Sequence, residues 1–300
     1  KNYLYRVGGG EVESYRILEN GTLESIGKGE TQARGGYLML DKNDRFMAGN
    51  NYGGGKVALW EIGEDRIAKG SAIVEMDLEK AAHSSVFSPN NRFLLVPATT
   101  PNKVFQLRFD ETTGAIESND PPFVMGPTGE GTAQQPRHLV FHPTLPIAYT
   151  TLERESPGVG VWSWDAEKGT LEVIQNIITL PENFEGSVTT ADLHLTPDAK
   201  FLYVSNRDLT DRKAVTGRSS IVGFEVDESN GKLTLVGHTP CPQVPRSFAI
   251  DEAGEFVYVA GQTAALLQVY RLDAETGTLE SIEVLETGKG PNWVRCLTMD

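Results

Sequence analysis

Four side chains in this sequence are of the types that activate water and stabilise negative charge. They are His83, Arg137, Glu153 and Arg207. A histidine and a carboxylate can deprotonate water and protonate a leaving oxygen, and a guanidinium group can stabilise an oxyanion. Together these groups have the chemistry needed to hydrolyse a substrate, provided that the fold brings them to one place.

A second set of polar residues could hold a substrate. Its members each lie near the start of an apolar segment, and they are His138, Asp192, His194 and Arg246. A guanidinium group binds phosphate or carboxylate through charge-assisted, bidentate hydrogen bonds. We therefore expect Arg246, with whichever of Arg137 and Arg207 does not stabilise the oxyanion, to anchor an anionic substrate.

The segments that carry these residues are copies of one repeating unit. Clear copies cover residues 83–99, 136–153, 191–207 and 245–262, and a weaker copy covers 35–51. Each copy has two apolar strands joined by a turn rich in Pro, Asn, Asp or Gly, then a third strand and a second turn containing Gly. Four antiparallel strands per unit, repeated every 40 to 50 residues or so, are typical of a β-propeller blade.

The repeat predicts an all-β propeller of four-stranded blades, formed as one domain over residues 1–300. Six repeats can be counted when the unit shared by the N- and C-terminal segments is included. Residues 291–300 have the pattern of a lone first strand, so we expect the N- and C-terminal strands to pair and close the ring, which would remove an exposed sheet edge. A two-sheet sandwich is the alternative, but it offers no reason for so regular a repeat.

Antiparallel pairing predicts where the polar residues meet. The start of a first strand and the end of the second strand lie at the same end of a hairpin. First strands begin near His83, Arg137, His138, Asp192, His194 and Arg246, and second strands end near Glu153 and Arg207. We expect all of them at one mouth of the central channel.

Several of these residues also have a purely structural interpretation. His83 could be a core histidine, and the arginines could simply pair with neighbouring acids. Glu153 could be a solvated surface carboxylate, because Arg154 and Glu155 follow it. The functional interpretation depends on the coincidence of several residues at one face.

The charge and hydropathy of the chain limit the kinds of partner that it can bind. The net charge of −14 and the lack of a long basic run argue against nucleic acid. No apolar run is long enough to span a membrane, and the N-terminal residues lack the apolar core of a signal peptide, so we expect no membrane partner and a cytoplasmic location.

Cys241 and Cys296 lack metal-ligand spacing and suggest free thiols in a reducing compartment. The chemistry described requires no metal and no organic cofactor.

These units resemble the lactonase family of β-propellers, and within it the bacterial propeller type of 6-phosphogluconolactonase. The resemblance is carried by HSSVFSPNNRFLLVPA, PRHLVFHPTLPIAYTTLE, LPENFEGSVTTADLHLTPDAKFLYVSNR, PRSFAIDEAGEFVYVAGQ and GKGPNWVRCL. It implies hydrolysis of a small phosphorylated sugar lactone, 6-phospho-D-glucono-1,5-lactone, in carbohydrate metabolism. Members of the family have seven blades, whereas six repeats are counted here.

The family also includes a fungal enzyme that cyclises carboxy-cis,cis-muconate, with a proposed site of one histidine, two arginines and one glutamate. Matching the motifs places these at His83, Arg137, Arg207 and Glu153, the residues that the hairpin geometry had already grouped. The usual Asn-Glu pair of the family is Leu152-Glu153 here, so the resemblance implies no role for that asparagine.

Three other functions remain open from the sequence. A muconate-type cycloisomerase would use a similar acid, base and anion clamp. A propeller can also act as a scaffold that binds protein without catalysis, and a metal-dependent gluconolactonase would need carboxylates and amides around Ca²⁺. Residues 181–187 and 205–220 are candidate lids over the site.

Overall fold

The chain is built from β-strands. The computed structural model describes residues 2–8, 10–30, 36–68, 72–128, 134–211 and 217–298, and these ranges contain 23 strands and no helix. The predicted all-β class is thus confirmed. With no helix in the described ranges, there is also no helix with the length and hydropathy of a membrane span.

The strands form six sheets, and the chain divides into two compact units. Unit 1 comprises residues 1–141 and 164–172, and unit 2 comprises residues 142–163 and 173–298. The expectation of a single domain over residues 1–300 stays a prediction.

Unit 1 contains three sheets, each with its strands in chain order. The first is β1 (Tyr3–Gly8), β2 (Glu11–Ile17) and β3 (Leu23–Glu30). The second is β4 (Leu38–Leu40), β5 (Phe46–Asn51), β6 (Lys56–Glu61) and β7 (Val74–Asp77). The third is β8 (Val86–Phe87), β9 (Phe93–Ala98), β10 (Lys103–Phe109) and β11 (Ile116–Met125).

The other three sheets follow the same order. The fourth sheet is β12 (Pro136–Phe141), β13 (Ile147–Leu152), β14 (Gly158–Asp165) and β15 (Thr170–Ile178). Unit 2 contains β16 (Val188–Leu195), β17 (Phe201–Asp208), β18 (Ser220–Val226) and β19 (Leu233–Pro240). It also contains β20 (Pro245–Ile250), β21 (Phe256–Gly261), β22 (Leu266–Leu272) and β23 (Leu279–Glu286). The predicted repeats coincide with these sheets, except that Gly35 lies outside the described residues.

A side-chain acceptor stabilises the turn between the first and second strands of five sheets. In each case the side chain accepts hydrogen bonds from backbone N–H groups within the turn, and these residues are Asp41, Ser88, His142, Thr196 and Asp251. Such local bonds let Asp, Ser and Thr replace backbone partners in a turn. Asp, Ser, His and Thr all occur at this position, and each supplies a short-range acceptor.

In four of the six sheets, a glycine in the outer hairpin packs against the sheet before it. The four glycines have φ between 68° and 75°, and a Cβ at each would lie 2.2 to 2.8 Å from a side chain at the start of an earlier second strand. The pairs are Gly114 with Phe46, Gly169 with Phe93, Gly231 with Ile147, and Gly277 with Phe201. Only glycine satisfies both the positive φ and the close approach.

Burial decreases from the inner strands to the outer ones. Strands β9, β13 and β17 are buried along their whole length, whereas β23 is mostly exposed. The core of unit 1 is centred on residues such as Phe46, Leu94 and Phe105, and that of unit 2 on residues such as Phe248 and Tyr270. Removal of this apolar surface from water is the main stabilising contribution to each unit.

The C-terminal segment differs from its prediction. Residues 291–298 belong to no strand, and the sheet of β1, β2 and β3 has three strands rather than the four that pairing of the termini would give. Trp293 and Leu297 are exposed, and the N–H of Val294 donates to Oγ of Ser247 at 3.1 Å within unit 2. A side-chain contact of this kind provides no strand ladder, so the expected fourth strand is absent from the described residues.

The close contact of these glycines with the neighbouring sheet predicts that one added methyl group strongly destabilises the protein. Gly277→Ala should destabilise the protein by about 2–4 kcal/mol, because φ is positive and the added Cβ meets the Phe201 ring at 2.5 Å. Urea unfolding measures the loss. Gly237→Ala is the matched control, since nothing lies within 4 Å of its Cβ position. Equal stabilities of the two variants would contradict this packing role.

The turn at His142 predicts a loss of stability in acid. Its Nδ1 accepts the N–H groups of Leu145 and Thr144 at 3.0 and 3.2 Å, and burial lowers the pKa of the ring. Below about pH 6.5 the unfolded state therefore binds more protons than the folded state, and stability falls as pH falls. His142→Asn keeps an acceptor but does not titrate, so its unfolding free energy should vary less between about pH 7 and pH 5. Identical pH profiles would contradict the assignment.

Candidate functional site

One group of predicted site residues lies in unit 1, where β12 begins. Arg137 is only 1% exposed although it is charged, and its Nη1 lies 3.1 Å from Nε2 of the buried His138. A guanidinium group has donors only, so this Nε2 must accept the hydrogen bond. The contact therefore requires neutral His138 with its proton on Nδ1.

His83 lies beside this pair. Its ring makes edge contacts with His138 and Tyr52, with ring centroids 5.1 and 5.5 Å apart. Oγ of Ser84 donates to the carbonyl oxygen of Arg137 at 2.9 Å, which ties the segment before β8 to the start of β12. Unit 1 thus brings together three of the predicted residues, His83, Arg137 and His138.

A second group lies in unit 2, at the ends of β13 and β17. Nη2 of Arg207 donates to Oε1 of Glu153 at 2.6 Å and to the carbonyl oxygen of Thr190 at 2.9 Å. Glu153 is 7% exposed and Arg207 is 5% exposed. Glu153 is therefore not a solvated surface carboxylate, and Arg207 does pair with an acid, as its structural interpretation suggested.

The surroundings of Arg207 are unusually positive. Burial lowers the pKa of its guanidinium group, the charge of Glu153 opposes that shift, and the charges of Arg246 and Arg154 add to it. Its Nε is buried and has no hydrogen-bond partner in the described part of the chain. Arg207 thus holds Glu153 in its ionised form and keeps one donor uncommitted.

Backbone irregularities lie beside two of the predicted residues. Register shifts interrupt the pairing of β16 with β17 at Ala191 and Asp192, and that of β20 with β21 at Arg246. A β-bulge re-aims side chains and increases the local twist. Neither bulge is evident from the local sequence, because each depends on how the partner strand pairs.

Asp192 ties β16 to β20. Its carboxylate accepts the N–H of Phe248 at 3.4 Å and of Leu193 at 3.1 Å, and it lies 3.3 Å from Nε2 of His194. The ring of His194 packs against Phe248 with centroids 4.8 Å apart. These contacts give Asp192 and His194 a structural part within unit 2, and their predicted contact with substrate stays a prediction.

The structure thus supports two local groups. His83, Arg137 and His138 lie together in unit 1. Glu153 and Arg207 lie together in unit 2, with the charge of Arg246 acting on Arg207. The convergence of all the predicted residues on a single rim stays a prediction.

Arg154 is a residue whose importance the sequence did not reveal. Its position after Glu153 suggested a solvated Glu153 carboxylate, but Arg154 is exposed while Glu153 is buried. The sequence signal for Arg154 was its position directly after Glu153, at the end of a predicted second strand.

No group of three or more His, Cys, Asp or Glu residues in the described ranges is arranged to hold a metal ion.

The two predicted lid segments contact each other. The N–H of Leu209 donates to the carbonyl oxygen of Ser187 at 2.7 Å, and the Arg218 guanidinium lies 4.4 Å from the centre of the Phe184 ring. Both segments adjoin the ends of β16 and β17 near Arg207. Residues 212–216 of the second segment lie outside the described residues, and closure over a substrate stays a prediction.

The buried ion pair predicts strong coupling between its members. Arg207→Met should destabilise the protein by about 3–5 kcal/mol, because it leaves the Glu153 carboxylate buried without a positive charge. The double variant Glu153→Met/Arg207→Met should lose less than Arg207→Met alone, since neither charge then remains. Urea unfolding of the two single variants and the double variant measures the coupling. Additive losses would show that the pair contributes nothing as a unit.

Comparison with known proteins identifies a family. The family model described as "Lactonase, 7-bladed beta-propeller" matches residues 1–296. A 6-phosphogluconolactonase of Pectobacterium carotovorum subsp. carotovorum is 34% identical over 289 residues, which are 96% of this chain and 82% of the relative. That of Cronobacter sakazakii is 32% identical over 286 residues, 94% of this chain and 80% of the relative.

Solved structures agree with this result. The periplasmic gluconolactonase of Pseudomonas aeruginosa matches with a TM-score of 0.85 and 28% identity, covering 96% of this chain and 83% of its own. A protein from Lactobacillus plantarum matches with a TM-score of 0.84 and 22% identity over 99% of this chain and 86% of its own, which shows the fold alone. The propeller fold predicted from the repeat is confirmed, and the chain belongs to the lactonase family of seven-bladed β-propellers.

Proposed function

We propose that this protein hydrolyses 6-phospho-D-glucono-1,5-lactone to 6-phosphogluconate. The observation that carries the proposal is the similarity, over 96% of the chain, to a relative named 6-phosphogluconolactonase. The buried Glu153–Arg207 pair adds a chemical reason, since a hydrolase needs a group that can accept a proton from water.

Glu153 is the proposed general base. The 2.6 Å contact with Arg207 favours the ionised carboxylate, which is the form that can take a proton from water. Arg207 acts mainly by positioning Glu153, because its Nη2 is committed to that carboxylate and to the carbonyl oxygen of Thr190. This assignment is narrower than the one from sequence, in which Arg207 was also a candidate for stabilising the oxyanion.

The remaining steps involve the residues of unit 1. Lactone opening places negative charge on the carbonyl oxygen and then on the leaving ring oxygen. We assign oxyanion stabilisation to Arg137 and protonation of the leaving oxygen to His83, two residues that the family resemblance places in the site. The hydrogen bond of Arg137 to His138 supports this assignment, because it orients the guanidinium group within a buried site.

Arg246 is the proposed anchor for the phosphate group. It lies on the bulge in β20, and no described residue forms an ion pair or hydrogen bond with its guanidinium group. A charge-assisted hydrogen bond to phosphate would use this free donor capacity. The proposal includes a cytoplasmic location, which the two free thiols of Cys241 and Cys296 support.

Hydrolysis of an unphosphorylated lactone is a second candidate function. The observation that favours it is the structural match, at 28% identity, to the periplasmic gluconolactonase of Pseudomonas aeruginosa. Glucono-1,5-lactone would need the same base and the same oxyanion stabilisation but no phosphate anchor. The direct test is the rate of opening of each freshly prepared lactone, measured against its spontaneous hydrolysis.

Substitution of Glu153 should separate catalysis from binding. Glu153→Gln should lower kcat by about 10²–10⁴-fold, because the amide cannot accept a proton from water. Arg246→Ala should mainly raise KM if this side chain only anchors the substrate. Glu280→Gln, which replaces an exposed carboxylate paired with Arg271, is the matched control and should leave both constants unchanged.

Folding must be checked alongside activity. Glu153→Asp keeps the charge and should retain more activity than Glu153→Gln if the carboxylate is the base. Thermal melts of each variant show whether any loss of rate comes from unfolding. A well-folded Glu153→Gln variant with the kcat of the unsubstituted protein would exclude Glu153 as the base.

A further inference from the structure

Arg154 follows the buried Glu153 in a tight turn at the end of β13. The N–H of Ser156 donates to the carbonyl oxygen of Arg154 at 2.7 Å, and Glu155 has a positive φ of 60°. Glu153 is buried while Arg154 is exposed. The turn therefore directs the carboxylate into the protein and leaves the adjacent guanidinium group accessible from solvent.

Arg154 and Arg246 differ from three other described arginines of unit 2. Arg207 pairs with Glu153, Arg218 pairs with Asp208 at 3.4 Å, and Arg271 pairs with Glu280 at 3.6 Å. Within the ranges that the structure describes, Arg154 and Arg246 have no ion pair and no hydrogen bond to their side chains. The chain has 41 acidic and 27 basic residues, so acidic partners are plentiful. These two arginines are nevertheless uncompensated.

Both arginines lie near Arg207. Arg154 is next in sequence to the ion-pair partner of Arg207, and the strand that carries Arg246 contacts β16 and β17. Their charges act on the Arg207 guanidinium in the same direction as its burial. Three positive charges therefore accompany the single negative charge of Glu153. Among these four side chains, positive charges exceed negative ones by two, in a protein whose net charge is negative.

We propose that Arg154 and Arg246 together bind the phosphate group of the substrate, and that Arg154 determines the preference for phosphorylated over unphosphorylated lactones. A phosphate monoester carries about −1.5 to −2 charges at pH 7, which matches the local positive excess. Two guanidinium groups supply enough donors to bind several phosphate oxygens. The inference rests on the proposed function and adds to it the residue that selects the phosphorylated substrate.

Substrate comparison tests the role of Arg154. For Arg154→Gln, kcat/KM on 6-phospho-D-glucono-1,5-lactone should fall about tenfold through KM, because one charge-assisted contact is lost at an exposed position. On glucono-1,5-lactone the variant should behave as the unsubstituted protein does. Arg154→Lys should recover part of the loss, since it keeps the charge. Arg271→Gln, at an exposed arginine on β22, is the matched control and should leave kcat/KM unchanged for both substrates.

Product binding separates this inference from the proposed function. Calorimetric titration with 6-phosphogluconate and with gluconate should show that Arg154→Gln weakens binding of the first about tenfold and leaves the second unaltered. Equal effects on both ligands, or no effect on either, would overturn the role of Arg154. An unsubstituted protein that binds 6-phosphogluconate through Arg154 but opens neither lactone would instead refute the proposed hydrolysis and leave the phosphate site in place.

Discussion

Antiparallel pairing of consecutive strands is the constraint on which the candidate site depends. It places the beginning of a first strand beside the end of the second, as when Thr189 of β16 pairs with Arg207 of β17. Glu153, beyond the end of β13, then reaches Arg207 across 54 residues of sequence. The same hairpin geometry in every sheet explains why polar side chains collect where these strands begin and end, while the opposite turns carry short-range acceptors such as Asp41 and Thr196.

The Glu153–Arg207 pair shows how this geometry is used. Burial of two charges is unfavourable unless each is compensated, and here the guanidinium group contacts both a carboxylate and a backbone carbonyl oxygen. A pair of this kind contributes little to stability in comparison with apolar residues of the same size. The pair has a chemical consequence instead, since the adjacent positive charge favours the ionised form of a carboxylate inside the protein.

Charge is distributed unevenly in this protein. The chain carries 14 more acidic than basic residues, which disfavours polyanions at a distance. Beside Arg207, Arg154 and Arg246 add positive charge, and neither forms an ion pair with a described acidic residue. A small anion in contact with these side chains responds to the local charges rather than to the net charge, since screening by water and salt weakens the distant ones.

The strands, their turns and the candidate site residues could all be predicted from local sequence patterns. These features are local: strand patterns and turn-forming residues act over a few positions, and the glycines of the outer hairpins, such as Gly277, are required by their own backbone angles. Only the tertiary structure decided that Glu153 is buried with Arg207, that His138 accepts a hydrogen bond from Arg137, and that Asp192 joins two strands. It also decided that residues 291–298 form no strand. Burial and pairing depend on residues far apart in sequence, so the local pattern around one residue does not contain them.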